Sequence, residues 1–67
     1  MMKVEYRVIR TKGMLPVYYT TDPAEAAAAY ERAGGGHILE RITNLSYSKF
    51  ERQVLTLAQI RELRLLF

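Results

Sequence analysis

A short alanine-rich segment, with a helix-start signal before it and a helix-stop signal after it, constrains the fold of this chain most. Asp22 precedes Pro23, and Glu25 follows three residues after Asp22, which is the spacing of a capping box at the start of a helix. Three glycines at positions 34–36 then supply the left-handed conformation in which helices commonly end. The sequence therefore predicts a helix that begins at Pro23 and ends at the glycines.

The apolar face of this predicted helix is made of small residues around one aromatic ring. At about 100° per residue, one side of the helix carries the following residues: Ala26, Ala27, Tyr30 and Ala33. Glu25 and Arg32 share the opposite side. Because small side chains let a helix approach its neighbour closely, we expect this face to pack on a β-sheet.

The segment before the helix has the pattern of a β-hairpin. Residues 3–10 alternate charged side chains with β-branched and aromatic ones, which is typical of a half-buried strand. A short connection that contains Gly13 separates them from a second extended run at residues 15–20. Because Pro16 has no N–H to give to a β-ladder, we expect this second strand at an edge of the sheet.

The last third of the chain carries two competing helix-start signals. Residues 37–44 are rich in β-branched side chains and predict a third strand. Capping boxes then begin at Ser48, with Glu51, and at Thr56, with Gln59.

The phase of the apolar residues favours the second of these two signals. From position 57 onward, one helical stripe carries Leu57, Ile60, Leu63 and Phe67. Extending that helix backward would bring polar side chains onto the same stripe, namely Arg52, Gln53 and Thr56. We therefore predict a fourth strand over residues 49–55 and a helix from Leu57 to the end.

The predicted element order is ββαββα, an α+β fold in one small domain spanning residues 1–67. Neither ββα unit can bury a face alone, so we expect one four-stranded antiparallel sheet with both helices on one face. The alternative is ββαβ, in which residues 49–55 belong to one long C-terminal helix.

The composition argues against an enzyme. The 67 residues include no cysteine and a single histidine, so neither a disulfide nor a thiolate or histidine-rich metal site can form. The glycines at 34–36 follow a helix, whereas phosphate-binding glycines precede one. His37 has no recognisable nucleophile or orienting carboxylate in the sequence. We expect no catalysis, no metal, no cofactor and no small-molecule substrate.

The basic balance makes nucleic acid a possible partner. Ten Lys and Arg residues against seven Asp and Glu give a net charge of +3. On the predicted sheet face away from the helices, basic side chains neighbour a tyrosine, as on surfaces that stack single-stranded nucleic acid. The candidate residues are Lys3, Arg7, Arg10, Lys12 and Tyr18. The alternative interpretation of this face is an ordinary solvated surface.

The C-terminal helix suggests a protein partner instead. Its predicted core stripe leaves further apolar residues on other sides, more than a monomer needs, and a chain this short gains stability by burying them. The candidate partner-binding residues are Arg61, Arg64, Leu65, Leu66 and Phe67. The alternative is a frayed last turn with loosely held apolar side chains.

Taken together, these patterns favour a small non-catalytic protein-binding module, accessory or regulatory, that self-associates. The alternative is a small basic nucleic-acid-binding protein that uses the exposed sheet face. No apolar run is long enough to span a membrane, and the N-terminus lacks the apolar stretch of a secretory signal. We therefore expect a cytoplasmic protein with no membrane contact.

Overall fold

The computed structural model describes residues 3–65 and shows the predicted element order. The fourth strand is present, so the alternative with one long C-terminal helix is wrong. The elements are β1 (Lys3–Arg10), β2 (Leu15–Thr20), α1 (Pro23–Ala33), β3 (His37–Asn44), β4 (Phe50–Val54) and α2 (Leu57–Leu65).

The strands form one antiparallel sheet in the order β2-β1-β3-β4. Each hairpin pairs strands that are adjacent in sequence, whereas the central pair, β1 with β3, joins the two halves of the chain. Pro16 lies in β2, which is an edge strand as predicted. The pairing of β1 with β2 shifts its register between Val8 and Ile9, so one residue of β2 is bulged there.

The start of α1 shows only half of the predicted capping box. The Asp22 carboxylate accepts hydrogen bonds from the backbone N–H groups of Ala24 (2.9 Å) and Glu25 (3.4 Å). The reciprocal bond is missing, because the Asp22 N–H donates to the Thr20 hydroxyl at 3.1 Å. The Glu25 carboxylate instead accepts a hydrogen bond from the Tyr18 hydroxyl at 2.9 Å.

The start of α2 shows the complete box. The Gln59 N–H donates to the Thr56 hydroxyl at 3.2 Å, and the Thr56 N–H donates to the Gln59 side-chain oxygen at 2.9 Å. Residues around the competing Ser48 signal form the β3–β4 turn, closed by a bond from the Leu45 N–H to the Lys49 carbonyl at 2.9 Å. The second signal is therefore the one that starts a helix.

The core lies between the sheet and the two helices, on the side that we call the covered face. It contains Tyr6, Val8, Ala26, Ala27, Ala29, Leu39, Leu55, Ile60 and Leu63. Leu39 is fully buried, with 0% exposure. Leu57 was predicted to belong to this core and does not, since its side chain is exposed at the first position of α2. Only Ile60 and Leu63 of the predicted stripe are buried within the described part of α2.

Candidate functional site

The side of the sheet opposite the helices, which we call the open face, is defined by the strand register. Residues directly opposite each other in an antiparallel pair share a face, and alternate residues along a strand change face. Val8 and Leu39 belong to the core and face each other, so their strand neighbours point to the other side. The open face carries Lys3, Glu5, Arg7, Ile9, Pro16, Tyr19, Ile38, Glu40, Ile42, Asn44, Phe50, Arg52 and Val54.

An ion pair lies at the centre of the open face. Arg7 on β1 and Glu40 on β3 face each other, and the Arg7 Nη2 and Nε atoms lie 2.6 and 3.2 Å from the Glu40 Oε1 atom. Glu40 is only 8% exposed. A carboxylate this buried requires a partner that satisfies its charge, and the two guanidinium N–H groups supply it.

Apolar side chains surround this ion pair on both sides. Ile9 is buried, and Ile38 and Ile42 are half-buried. Towards the two edges, Tyr19 is 53% exposed, and Phe50 and Val54 are each 54% exposed. The Arg52 guanidinium lies 5.2 Å from the centre of the Phe50 ring, a cation–π arrangement. The open face is therefore an apolar surface interrupted by a few charges that have partners within the chain.

The structure does not bring the predicted nucleic-acid-binding residues together. Lys3 and Arg7 lie on the open face, but Lys3 pairs with Glu5 at 3.3 Å and Arg7 pairs with Glu40. Arg10 lies on the covered side of the sheet by the alternation of β1, and Lys12 lies in the β1–β2 turn. Two of the predicted cations, Lys3 and Arg7, are thus paired with carboxylates on this surface, whereas Arg10 and Lys12 lie elsewhere.

The expectation that Tyr18 is on the open face is wrong. Tyr18 faces Val8 on the covered side, and its neighbour Tyr19 faces Arg7 on the open side. The hydrogen bond from the Tyr18 hydroxyl to the Glu25 carboxylate raises the pKa of Tyr18 above its ordinary value of 10.0, because that bond requires the protonated phenol. Two adjacent tyrosines give no alternation, so the sequence alone left the face of each undetermined.

The predicted partner-binding residues of α2 form a separate surface. Leu65 is 85% exposed, and with Arg61 and Arg64 it lines an open cleft of about 410 Å³. Arg64 is held against α1, because its Nη1 atom lies 2.7 and 2.9 Å from the two carboxylate oxygens of Glu31. Leu66 and Phe67, which belong to the same prediction, lie outside the described residues.

His37 makes local contacts with the backbone. Its Nδ1 atom lies 3.2 Å from the Gly34 carbonyl oxygen and 3.1 Å from that of Gly35, both in the connection that follows α1. This geometry lets the ring donate to carbonyls just past a helix C-terminus, where a donor is favourable. The ring thus links the first residue of β3 to the connection that follows α1.

Sequence reasoning missed a second cleft, on the covered side between the start of α1 and the β3–β4 hairpin. It measures about 400 Å³ and is open to solvent. Its lining mixes polar and apolar surface and comprises Val4, Tyr6, Thr21, Pro23, Arg41, Thr43, Glu51 and Gln53. The cleft exists because α1 crosses β1 and β3 while β4 is exposed along its whole length. No sequence pattern marks it, since its residues come from four separate stretches of the chain.

Comparisons with known proteins add nothing to this geometry. No protein-family model matches the chain, and neither the curated proteins nor the solved structures include a significant match. Among the described residues, no helix has the length and apolar character needed to cross a membrane.

Proposed function

We propose that this chain is a small non-catalytic protein-binding module that self-associates, and that two copies pack open face to open face. The observation that carries the proposal is the uncovered apolar side of the sheet, on which Lys3, Glu5, Arg7 and Glu40 are already paired within the chain. When such a surface packs against an identical copy, it is desolvated, and those four charges keep their partners within the chain.

The size of the domain favours the same arrangement. A 67-residue chain can cover one side of its sheet with helices, and it leaves half-buried isoleucines on the other side. Two sheets that pack face to face lie about 10 Å apart and bury their inner side chains as one layer. The result is a symmetric four-layer dimer with the helices outside, in which each copy offers the same patch.

The expected affinity is modest. Strands of 8, 6, 8 and 5 residues, spaced about 4.8 Å apart with a rise of about 3.3 Å per residue, project an area of roughly 430 Å². Two such faces bury roughly 850 Å² in total, below the usual size of stable interfaces and in the range of transient ones. We therefore expect a reversible dimer with a dissociation constant in the micromolar range, roughly −8 kcal/mol.

Sedimentation velocity over a range of concentrations tests this proposal. Tyr19→Lys places a charge on the open face and should leave a monomer at concentrations where the wild type is dimeric. Leu57→Lys is the matched control, because Leu57 is similarly exposed but lies on α2, and this variant should dimerise as the wild type does. Far-ultraviolet circular dichroism establishes that both variants are folded.

Two results would overturn the proposal. If Leu65→Lys abolishes the dimer and Tyr19→Lys does not, the interface is the α2 surface. If the wild type stays monomeric and binds single-stranded oligonucleotides in an anisotropy assay, with log K falling by about 0.7 per neutralised phosphate as log salt rises, the chain is a nucleic-acid-binding protein. We expect a flat anisotropy trace at low and at physiological salt.

A further inference from the structure

The outer edge of β4 presents a regular row of unpaired backbone groups. The Leu55 N–H donates to the Leu39 carbonyl at 2.9 Å, so residues 55 and 39 form a hydrogen-bonded pair at the end of the β3–β4 ladder. Such pairs alternate along an antiparallel ladder, so residues 51 and 53 also direct their N–H and C=O groups to β3. Phe50, Arg52 and Val54 direct theirs outward, where no strand of residues 3–65 pairs with them.

This edge lacks two of the features that block pairing with another chain, a proline and a bulge. Proteins protect their edges with prolines, bulges, covering segments, charged side chains or very short strands, and β4 has only the last two, with five residues that include Glu51 and Arg52. The β3–β4 register runs without a shift from Phe50 to Val54, and β4 contains no proline. All of its side chains are exposed. Backbone and side chains of β4 are thus open to a further strand.

The side chains beside the edge define what such a strand should carry. Because residues 50, 52 and 54 offer the outward hydrogen bonds, incoming residues directly opposite them lie on the open face. Two of these positions meet apolar side chains, Phe50 and Val54, and the middle one meets the Arg52 guanidinium. On the covered side, the intervening positions meet Glu51 and Gln53 at the rim of the 400 Å³ cleft.

A second copy of this chain fits the edge less well than a chain of complementary charge. Pairing two β4 strands antiparallel with full overlap sets Arg52 directly opposite Arg52 of the other copy, and like charges in that position destabilise a sheet. Sliding the register by one hydrogen-bonded pair towards the N-terminus sets Glu51 opposite Glu51. Sliding it the other way sets Gln53 opposite Gln53 and avoids like charges, but either shift shortens a ladder of only five residues. The edge is therefore better matched to a different chain with the opposite charge at its centre.

We infer that the outer edge of β4 accepts an extended segment of another protein, which adds a fifth strand to the sheet. The segment has an acidic residue opposite Arg52 and apolar residues two positions away on either side, opposite Phe50 and Val54. Main-chain hydrogen bonds supply affinity, and the alternate side chains supply specificity. The main-chain groups of this edge stay free in the proposed dimer, although the side chains of Phe50, Arg52 and Val54 also belong to the open face.

Labelled peptides of alternating sequence test the inference by fluorescence anisotropy. A capped peptide with Val-Thr-Glu-Thr-Val at its centre should bind at least tenfold more tightly than the same peptide with Lys in place of Glu. In R52E this preference should reverse. Arg52→Thr keeps the backbone donor and removes the charge. It should therefore bind both peptides with equal affinity, and more weakly than the wild type binds the Glu peptide.

Arg52→Pro removes the outward N–H without breaking a hydrogen bond to β3. The variant should therefore fold but bind neither peptide. Hydrogen exchange gives an independent readout, because bound peptide should slow exchange at the amides of Phe50, Arg52 and Val54 in particular. Tyr19→Lys, which tests the dimer, lies on the opposite edge strand and should bind peptide as the wild type does. Failure to bind either peptide, or equal binding by Arg52→Pro, would overturn the inference whatever the oligomeric state.

Discussion

The two faces of the sheet are built on the same strands and differ in where they place their charges. On the covered face, Val8 and Leu39 meet the alanines of α1, and the core contains no charged side chain. On the open face, one residue along, Arg7 and Glu40 form an ion pair among isoleucines and partly exposed larger side chains. The covered face is completed within the chain, whereas the open face remains available to a partner.

The alanines of α1 explain why one face could be completed with so few residues. Ala26 and Ala27 are fully buried, so the helix backbone lies close to the sheet and little side-chain volume is needed to fill the space. Residues 3–65 supply no third layer for the other side. The ion pair satisfies the buried Glu40 carboxylate on that side, and the half-buried isoleucines beside it stay partly accessible.

Truncation of the core should have the largest effect on stability. Leu39→Ala opens a cavity beneath α1 and should lower the free energy of unfolding by about 2–5 kcal/mol. A domain of this size has roughly 3–10 kcal/mol in total, so much of the protein should unfold. Urea denaturation followed by circular dichroism measures the loss. Val54→Ala, on the exposed open face, should change stability by less than about 0.5 kcal/mol. Equal losses would mean that the two faces do not differ as described.

Breaking the central ion pair should have an intermediate effect. Arg7→Met leaves the Glu40 carboxylate buried without its partner and should cost about 2 kcal/mol. The double variant Arg7→Met/Glu40→Leu removes both charges and should recover most of that loss, because an apolar pair fits among the neighbouring isoleucines. A double-mutant cycle in urea gives the coupling. A double variant as unstable as the sum of the single ones would show that the charges are not coupled.

The smallest effect concerns the two adjacent tyrosines, one on each face. The pKa of Tyr18 is raised by its bond to Glu25, so the stability that this bond contributes is fully present below pH 10.0 and is lost as the pH rises through the raised value. Alkaline titration of tyrosine absorbance should show a late-ionising phenol in the wild type. The late-ionising part of the titration curve should disappear in Tyr18→Phe and move to lower pH in Glu25→Gln. Persistence of that part in Tyr18→Phe would assign it to another residue.

Local signals in the sequence were sufficient to predict all six elements. The Asp22-Pro23 start and the glycines at 34–36 bound α1, and the Thr56 box starts α2 at the predicted residue. Residues 50–54 form a strand within the predicted range of 49–55. Each of these signals acts over a few residues, so the local sequence alone determines where these elements begin and end.

Features that depend on distant pairing could not be predicted in the same way. The face of Tyr18 follows from its register with β1 and from the bulge between Val8 and Ile9, neither of which the β2 sequence encodes. Met14 adopts a left-handed backbone with φ of 51° beside Gly13 with φ of 83°, and a methionine carries no local signal for that conformation. The set of residues on the open face could not be predicted locally either, because it depends on the pairing of β1 with β3, and two elements lie between these strands in the chain.

The pairing of β1 with β3 also has a consequence for folding, because it joins residues that are far apart in the sequence. Each hairpin closes through a short turn and can form within about 10 μs, but the ladder from Lys3 opposite Asn44 to Arg10 opposite His37 must wait for distant segments to meet. Until it forms, each half of the chain is a hairpin with an apolar face in water. We therefore expect formation of the central ladder to limit the folding rate, and we expect the chain to be most prone to aggregation before it forms.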